Sequence, residues 1–142
     1  MNIYFSCSIT GGRKDQHVYQ MIVDYLIEKG HEVPTAHLAS SDVMEDESDL
    51  NEIDVYERDM KWVRNCDSLI AEVSTPSHGV GYEIAAAIFL DKHVMCCYHK
   101  DKKISKIISG NTGENVHVFA YKNEDELVSE IESFLKELPN TN

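Results

Sequence analysis

Residues 77–83 read SHGVGYE, so a serine and two spaced glycines lead directly into a carboxylate. Gly79 and Gly81 would let backbone N–H groups approach a ligand closely. The positive end of a following helix would draw an anion to the same place, and the Ser77 hydroxyl is free to donate to it. In outline this is an anion cradle, with phosphate as the obvious guest. A plain strand-to-helix turn that needs glycine for its geometry fits the same spacing equally well. The pattern is no dinucleotide fingerprint, because the third glycine is missing and the motif follows a middle strand.

Glu83 stands at the mouth of an otherwise apolar helix, IAAAIFL. A first-turn carboxylate either compensates the helix dipole or works on a ligand. Burial of that helix and the open space left by the glycines favour the second. Asp59, in YERDMKWV, lies three residues from both Tyr56 and Trp62, and so shares a helix flank with two aromatic rings. Taken alone, a mid-helix aspartate is a surface charge. Beside Glu83 it would complete a carboxylate pair of the kind glycosyl transfer uses, one group as nucleophile and the other handling the leaving group's proton. Tyr4 is either a core residue or a phenol that orients a carboxylate. Ser77 and His78 are adjacent, which does not give triad geometry, and no GxSxG occurs. The other histidines, at 17, 31, 93, 99 and 117, are scattered and receive no role.

The elements that must position these groups alternate. Short β-prone runs fall at 2–6, 31–35, 67–73, 93–98 and 116–121. Helical periodicity covers 13–29, with Val18, Met21, Ile22, Tyr25 and Leu26 in one stripe and Gly30 as the stop. A second helix is expected from a cap at Ser48 or Asp49 to Asn65, with Ile53, Tyr56, Met60 and Val63 on its apolar side. Residues 82–90 make a helix that is apolar nearly all round and hence expected to be mostly buried. A short helix follows at 104–109, and Asn123 with Glu126 forms a capping box for the last one. The predicted fold is α/β: a doubly wound, five-stranded, mostly parallel sheet flanked by helices, Rossmann- or flavodoxin-like, in a single domain over 1–142. Ligands bind such sheets at the carboxyl ends of the strands, so the turns after the first and third runs should share one rim.

Composition sets the outer limits. The 142 residues carry 13 Lys+Arg against 25 Asp+Glu, a net charge of −12. Such a balance disfavours a nucleic-acid polymer as partner, since phosphate affinity needs a basic face. The acids concentrate in 42–54 and 124–137, and none falls between Ser74 and Tyr82. No apolar run approaches a membrane span, and the amino terminus lacks a charged leader region. Four cysteines, at 7, 66, 96 and 97, have no metal-ligand spacing and read as reduced, buried side chains. A cytoplasmic protein is therefore expected, or a nuclear one in a eukaryote.

Three segments carry a family resemblance: 4–16 (YFSCSITGGRKDQ), 57–63 (ERDMKWV) and above all 71–83 (AEVSTPSHGVGYE). Together they resemble the nucleoside 2-deoxyribosyltransferase superfamily, and within it the 2′-deoxynucleoside 5′-monophosphate N-glycosidases. The resemblance spans nearly the whole chain. It implies that Glu83 is the nucleophile, that Asp59 assists departure of the base, and that Tyr4 positions the nucleophile. It assigns Ser77 and Gly79, with the backbone around Ser8 and Ile9, to the 5′-phosphate. Thr10 stands where the hydrolases often carry arginine, Arg13 or Lys14 is the replacement, and Thr10, Gly12 and Arg13 join the phosphate set. Ser105 matches a serine that reaches the neighbouring subunit's phosphate site in a homodimer, and His37 matches a position near the base. No metal or organic cofactor is implied. The expected activity is hydrolysis of (deoxy)nucleoside 5′-monophosphates; the alternatives are base exchange on unphosphorylated deoxynucleosides and a non-catalytic nucleotide sensor. Joint retention of Tyr4, Asp59 and Glu83 speaks against the sensor.

Overall fold

The structure is a computed structural model that describes residues 1–10, 14–43 and 48–139. Strand β1 (Ile3–Ser6) precedes helix α1 (Gln16–Glu28) and a 3-10 turn at Ala36–Ala39. Helix α2 (Glu52–Asn65), β2 (Ser68–Glu72), α3 (His78–Phe89), β3 (His93–His99), the short α4 (Lys106–Ser109), β4 (Val116–Tyr121) and α5 (Glu124–Glu137) complete the chain. The strands pair in the order β1-β2-β3-β4, all parallel, with Ser6 beside Ala71 and Ala71 beside Cys96. Their carboxyl ends therefore share one rim, which brings the loop after Ser6 next to the turn after Glu72.

The sheet has four strands, not five. Residues 31–35 contribute only an isolated parallel bridge, Asn2 to Glu32, on the free side of β1. Pro34 has no N–H for a ladder, and the chain turns at once into the 3-10 segment. The edge of β1 is satisfied otherwise: Ile3 N–H donates to the Glu32 carbonyl at 2.8 Å, and Phe5 N–H donates to Thr35 Oγ1 at 3.0 Å. After β1 the chain first passes its free edge at the Asn2–Glu32 bridge and then returns on the other side as β2, so α1 and α2 cover opposite faces of the sheet.

Every strand alternates its faces, and helices cover both. Ile3, Phe5, Ile70, Met95 and Cys97 pack under α1 and α5 through Val18, Ile22, Leu26, Leu127 and Ile131. Tyr4, Leu69, Ala71, Val94 and Cys96 pack under α2 and α3 through Met60, Val63, Val80, Ile84 and Ala87. The four cysteines are buried and unbridged, and Cys7 points into the α1 side, its thiol against the Leu38 carbonyl. Among the described residues, no helix is long and apolar enough to cross a membrane.

Local signals explain the helix ends. Gly30, at φ +81, closes α1 in the left-handed conformation that glycine adopts without strain. The cap of α2 is Asn51, whose side chain accepts from Asp54 N–H at 2.9 Å, not Ser48 or Asp49. Asn123 caps α5 by accepting from Glu126 N–H at 2.9 Å; the Glu126 carboxylate reaches back one residue further than a standard box, to Lys122 N–H at 2.7 Å. The expectation of a mostly buried 82–90 helix fails, and the apolar side of α2 is only half covered. In the α2 stripe only Met60 and Val63 are buried, while Ile53 and Tyr56 are exposed. Helix α3 buries Val80, Ile84 and Ala87 but leaves Phe89 87% exposed. Both exposed faces border open space beside the candidate site.

Candidate active site

Helix α3 begins at His78, four residues earlier than its apolar run indicates, because Ser77 is its N-cap and accepts from Val80 N–H at 3.4 Å. Gly79 and Gly81 thus lie inside the helix, not in a turn ahead of it. Neither has positive φ, and a side chain at Gly81 would meet nothing within 4 Å. Backbone geometry does not require glycine at either position; what glycine provides is room beside the first amides of the helix. The Ser77 hydroxyl keeps its own proton for an external acceptor.

The earlier start moves Glu83 into the second turn of α3, so dipole compensation in the first turn does not account for it. Its partners come from β1. Tyr4 donates its hydroxyl to Oε1 at 2.9 Å and Ser6 donates to Oε2 at 2.5 Å. Both donors sit on the α2/α3 face of β1, two residues apart, as strand alternation requires. Ser6 was not among the residues singled out from sequence, although its i, i+2 spacing from Tyr4 was the available signal. Burial pushes the Glu83 carboxyl above its ordinary value; the nearby Asp59 carboxylate adds to the rise, while the two hydroxyls and the Arg58 guanidinium oppose it. Burial, reinforced by the Glu83 charge, also raises the Tyr4 phenol far above its ordinary value and keeps it a donor.

Asp59 projects from α2 into the same cleft as Glu83, with Tyr56, Tyr82, His78 and Gly79 around them, in a space of about 580 Å³. Its side chain is only 13% exposed, and Arg58 Nε donates to its Oδ1 at 2.9 Å. The Arg58 guanidinium lies 4.9 Å from the centre of the Trp62 ring, and His37 meets that ring edge-on at 5.9 Å. Arg58 is a second group the sequence reading passed over. His37 is thereby joined to Asp59 through Trp62 and Arg58.

The remaining expected residues are placed as follows. Ser8 is buried, Ile9 half-buried and Thr10 exposed, all beyond the carboxyl end of β1. Gly12 and Arg13 lie outside the described residues. Ser105 is exposed, just ahead of α4, and lines a groove of about 460 Å³ on the other flank of α3 together with Ser77, Gly81, Ala85, Ile88 and Phe89. The described residues bring together Tyr4, Ser6, Asp59, Glu83 and the Ser77–Gly79 helix start. Chemically, this is a desolvated carboxylate steered by two hydroxyls, a second carboxylate across an open cleft, and amides suited to an anion.

Fold and site define an α/β protein with paired carboxylates at the carboxyl-end rim of a parallel sheet. The chain belongs to the nucleoside 2-deoxyribosyltransferase family, whose model matches residues 3–135. It is 44% identical over 118 residues to a Methanococcoides burtonii protein named as a 2′-deoxynucleoside 5′-phosphate N-hydrolase, covering 83% of this chain and 97% of the relative. It is 35% identical over 142 residues to a Danio rerio 5-hydroxymethyl-dUMP N-hydrolase, covering 97% and 98% of the two chains. Its fold is similar to that of a Clostridium botulinum CMP N-glycosidase, with a TM-score of 0.70 at 21% identity over 94% and 99% of the chains.

Proposed function

We propose that this protein hydrolyses the N-glycosidic bond of 2′-deoxynucleoside 5′-monophosphates, releasing free base and 2-deoxyribose 5-phosphate. The observation that carries the reading is Glu83, held by Tyr4 and Ser6, in one cleft with Asp59 and the amide-rich start of α3. A Glu83 oxygen attacks the anomeric carbon as the bond to the base breaks, and Asp59 delivers a proton to the departing base. Asp59 then takes a proton from water, the water attacks the same carbon, and the Glu83 carboxylate leaves. A 2-deoxy sugar reaches the oxocarbenium-like state more readily because it lacks the electron-withdrawing hydroxyl. The 5′-phosphate is assigned to Ser77, Gly79, the backbone at Ser8 and Ile9, and to Thr10, Gly12 and Arg13. The base is assigned to the side of His37. The mechanism requires no metal or organic cofactor. We read the enzyme as cytoplasmic, or nuclear in a eukaryote, and residues 1–142 as a single domain.

A panel of deoxynucleoside and nucleoside monophosphates, scored for free base, tests the assignment. Adding a second free base separates hydrolysis, which yields sugar phosphate, from base exchange, which yields a new nucleoside. Comparing CMP with dCMP decides the sugar. Tight binding without turnover would identify a sensor instead.

Tyr4→Phe is expected to lower kcat roughly 10- to 100-fold, the cost of a hydrogen bond to a charged group. That bond lowers the Glu83 pKa, so its loss raises it. The acid limb of the pH–rate profile must therefore move to higher pH; an unmoved limb contradicts the assignment.

The same reading makes the protein a homodimer in which Ser105 completes the neighbouring site. What supports it is the apolar face formed by α3 and α4, where Phe89 is 87% and Ile107 83% exposed beside Ser105. Exposed patches of this kind mark interfaces. The double substitution Phe89→Asp/Ile107→Asp is expected to halve the mass seen by light scattering and to raise KM. A wild type that is monomeric at working concentration refutes the dimer.

A further inference from the structure

Glu72, the last residue of β2, is a buried carboxyl that the proposed reaction does not use. It sits on the face of the sheet opposite Glu83, among Ile70, Cys97 and Tyr121. Its Oε2 accepts the Ser74 N–H at 3.3 Å, and its Oε1 accepts the Tyr121 hydroxyl at 3.0 Å together with the Ser74 hydroxyl. Ser74 Oγ in turn accepts the His99 N–H at 2.8 Å, at the end of β3. The next residue, Thr75, donates to Asp15 Oδ2 at 2.9 Å, just ahead of α1. Residues 74 and 75 are thus tied to β3, β4 and α1. Two residues further on stands Ser77, the cap of α3, and with it the amides assigned to the phosphate.

Among the described residues, the titratable groups facing Glu72 are Tyr121 from β4, Cys97 from β3, Tyr19 from α1 and Asp15 just ahead of it; none of these is a cation. Burial pushes the Glu72 carboxyl up to about 7, with Asp15 adding to the rise and the Ser74 and Tyr121 bonds opposing it. The three bonds suit the ionised form, because all three partners donate. A proton on Oε2 would face the Ser74 N–H, and a proton on Oε1 would displace one of two hydroxyl donors.

We infer that Glu72 is a positioning residue for the anion-binding turn: its carboxylate clamps Ser74 and thereby fixes where Ser77 and the first amides of α3 stand. This rests on the proposed reading of that turn as the 5′-phosphate site. When the clamp loosens, phosphate binding weakens, so KM rises as pH falls through the Glu72 titration.

The test compares wild type and Glu72→Gln with the best monophosphate of the panel, across pH values that bracket the Glu72 titration. Glutamine keeps an acceptor at Oε1 but sets an NH₂ against the Ser74 N–H. Above the titration, KM is expected to rise about tenfold while kcat stays within about twofold, the effect of one charge-assisted bond. Below it, the two enzymes should converge. The substrate's own phosphate ionisation is common to both, so the difference isolates Glu72. Amide hydrogen exchange of residues 74–79 in the ligand-free proteins is the second readout, with faster exchange expected in the variant. If Glu72→Gln does not fold, Tyr121→Phe serves in its place, with a smaller shift in the same direction. Equal KM profiles and equal exchange overturn the inference while leaving the hydrolase intact. A wild type without glycosidase activity overturns the hydrolase reading, and exchange alone then decides whether Glu72 holds the turn.

Discussion

Glu83→Gln is expected to abolish base release, with a loss on the order of 10⁴-fold or more in kcat, as for removal of a covalent nucleophile. Glutamine matches the size of glutamate; its amide oxygen accepts from one of the two hydroxyls, and its NH₂ donates to the other, which rotates to accept, so the pocket should stay closed around it. The carboxyl it replaces is one whose ionised form burial disfavours. A group with a folded pKa raised above its unfolded value costs stability as pH rises from the unfolded value through the folded one, and the full cost remains above that. Removing the charge removes the cost. Thermal denaturation near neutral pH should therefore show a midpoint equal to or above that of wild type. Loss of activity together with a lowered midpoint would point to a structural role for Glu83.

The second large effect concerns Asp59. Asp59→Asn removes the proton carrier for the departing base and should lower kcat by about 10²- to 10⁴-fold. The nucleophile works ionised, so activity falls as pH drops through the raised Glu83 pKa. The Arg58 guanidinium opposes that rise. The acid limb is therefore expected at higher pH in Arg58→Ala, read from kcat against pH. A substrate whose base departs without protonation should be less impaired by Asp59→Asn than by Glu83→Gln. Equal impairment would remove Asp59 from the proton-transfer role.

Much of this site was legible because its chemistry is written in residue types that apolar packing does not favour. A carboxylate beside glycines at 79 and 81, and an aspartate between two aromatic rings, stand out from the helices that carry them. Their meeting with Tyr4 follows from parallel strand order, since β1 and β2 end on one rim. Ser6 escaped notice because a serine in a short strand carries no signal until its i, i+2 partner is known to bond a carboxylate. The start of α3 was misplaced for a related reason: glycines at 79 and 81 read as a turn, whereas the Ser77 cap already commits those residues to helix. That difference of four residues removed the dipole explanation for Glu83. The fifth strand failed at Pro34, where one missing N–H left a bridge instead of a ladder. The exposed side chains of Ile53, Tyr56 and Phe89 show the limit of periodicity, which finds an apolar face but not what covers it.

The phosphate assignment also gives the charge of the chain a narrower meaning. A net charge of −12 slows the encounter with a phosphate anion, and salt relieves part of that penalty. Affinity must then come from amides and hydroxyls close to Ser77 and not from a general field.

The most direct measurement is free-base release from deoxynucleoside 5′-monophosphates by purified wild type and Glu83→Gln, with sugar phosphate quantified in the same samples. Wild type is expected to release base and 2-deoxyribose 5-phosphate in equal amounts, and the variant neither. Base release that survives in Glu83→Gln, or no release from any monophosphate by wild type, would contradict the account.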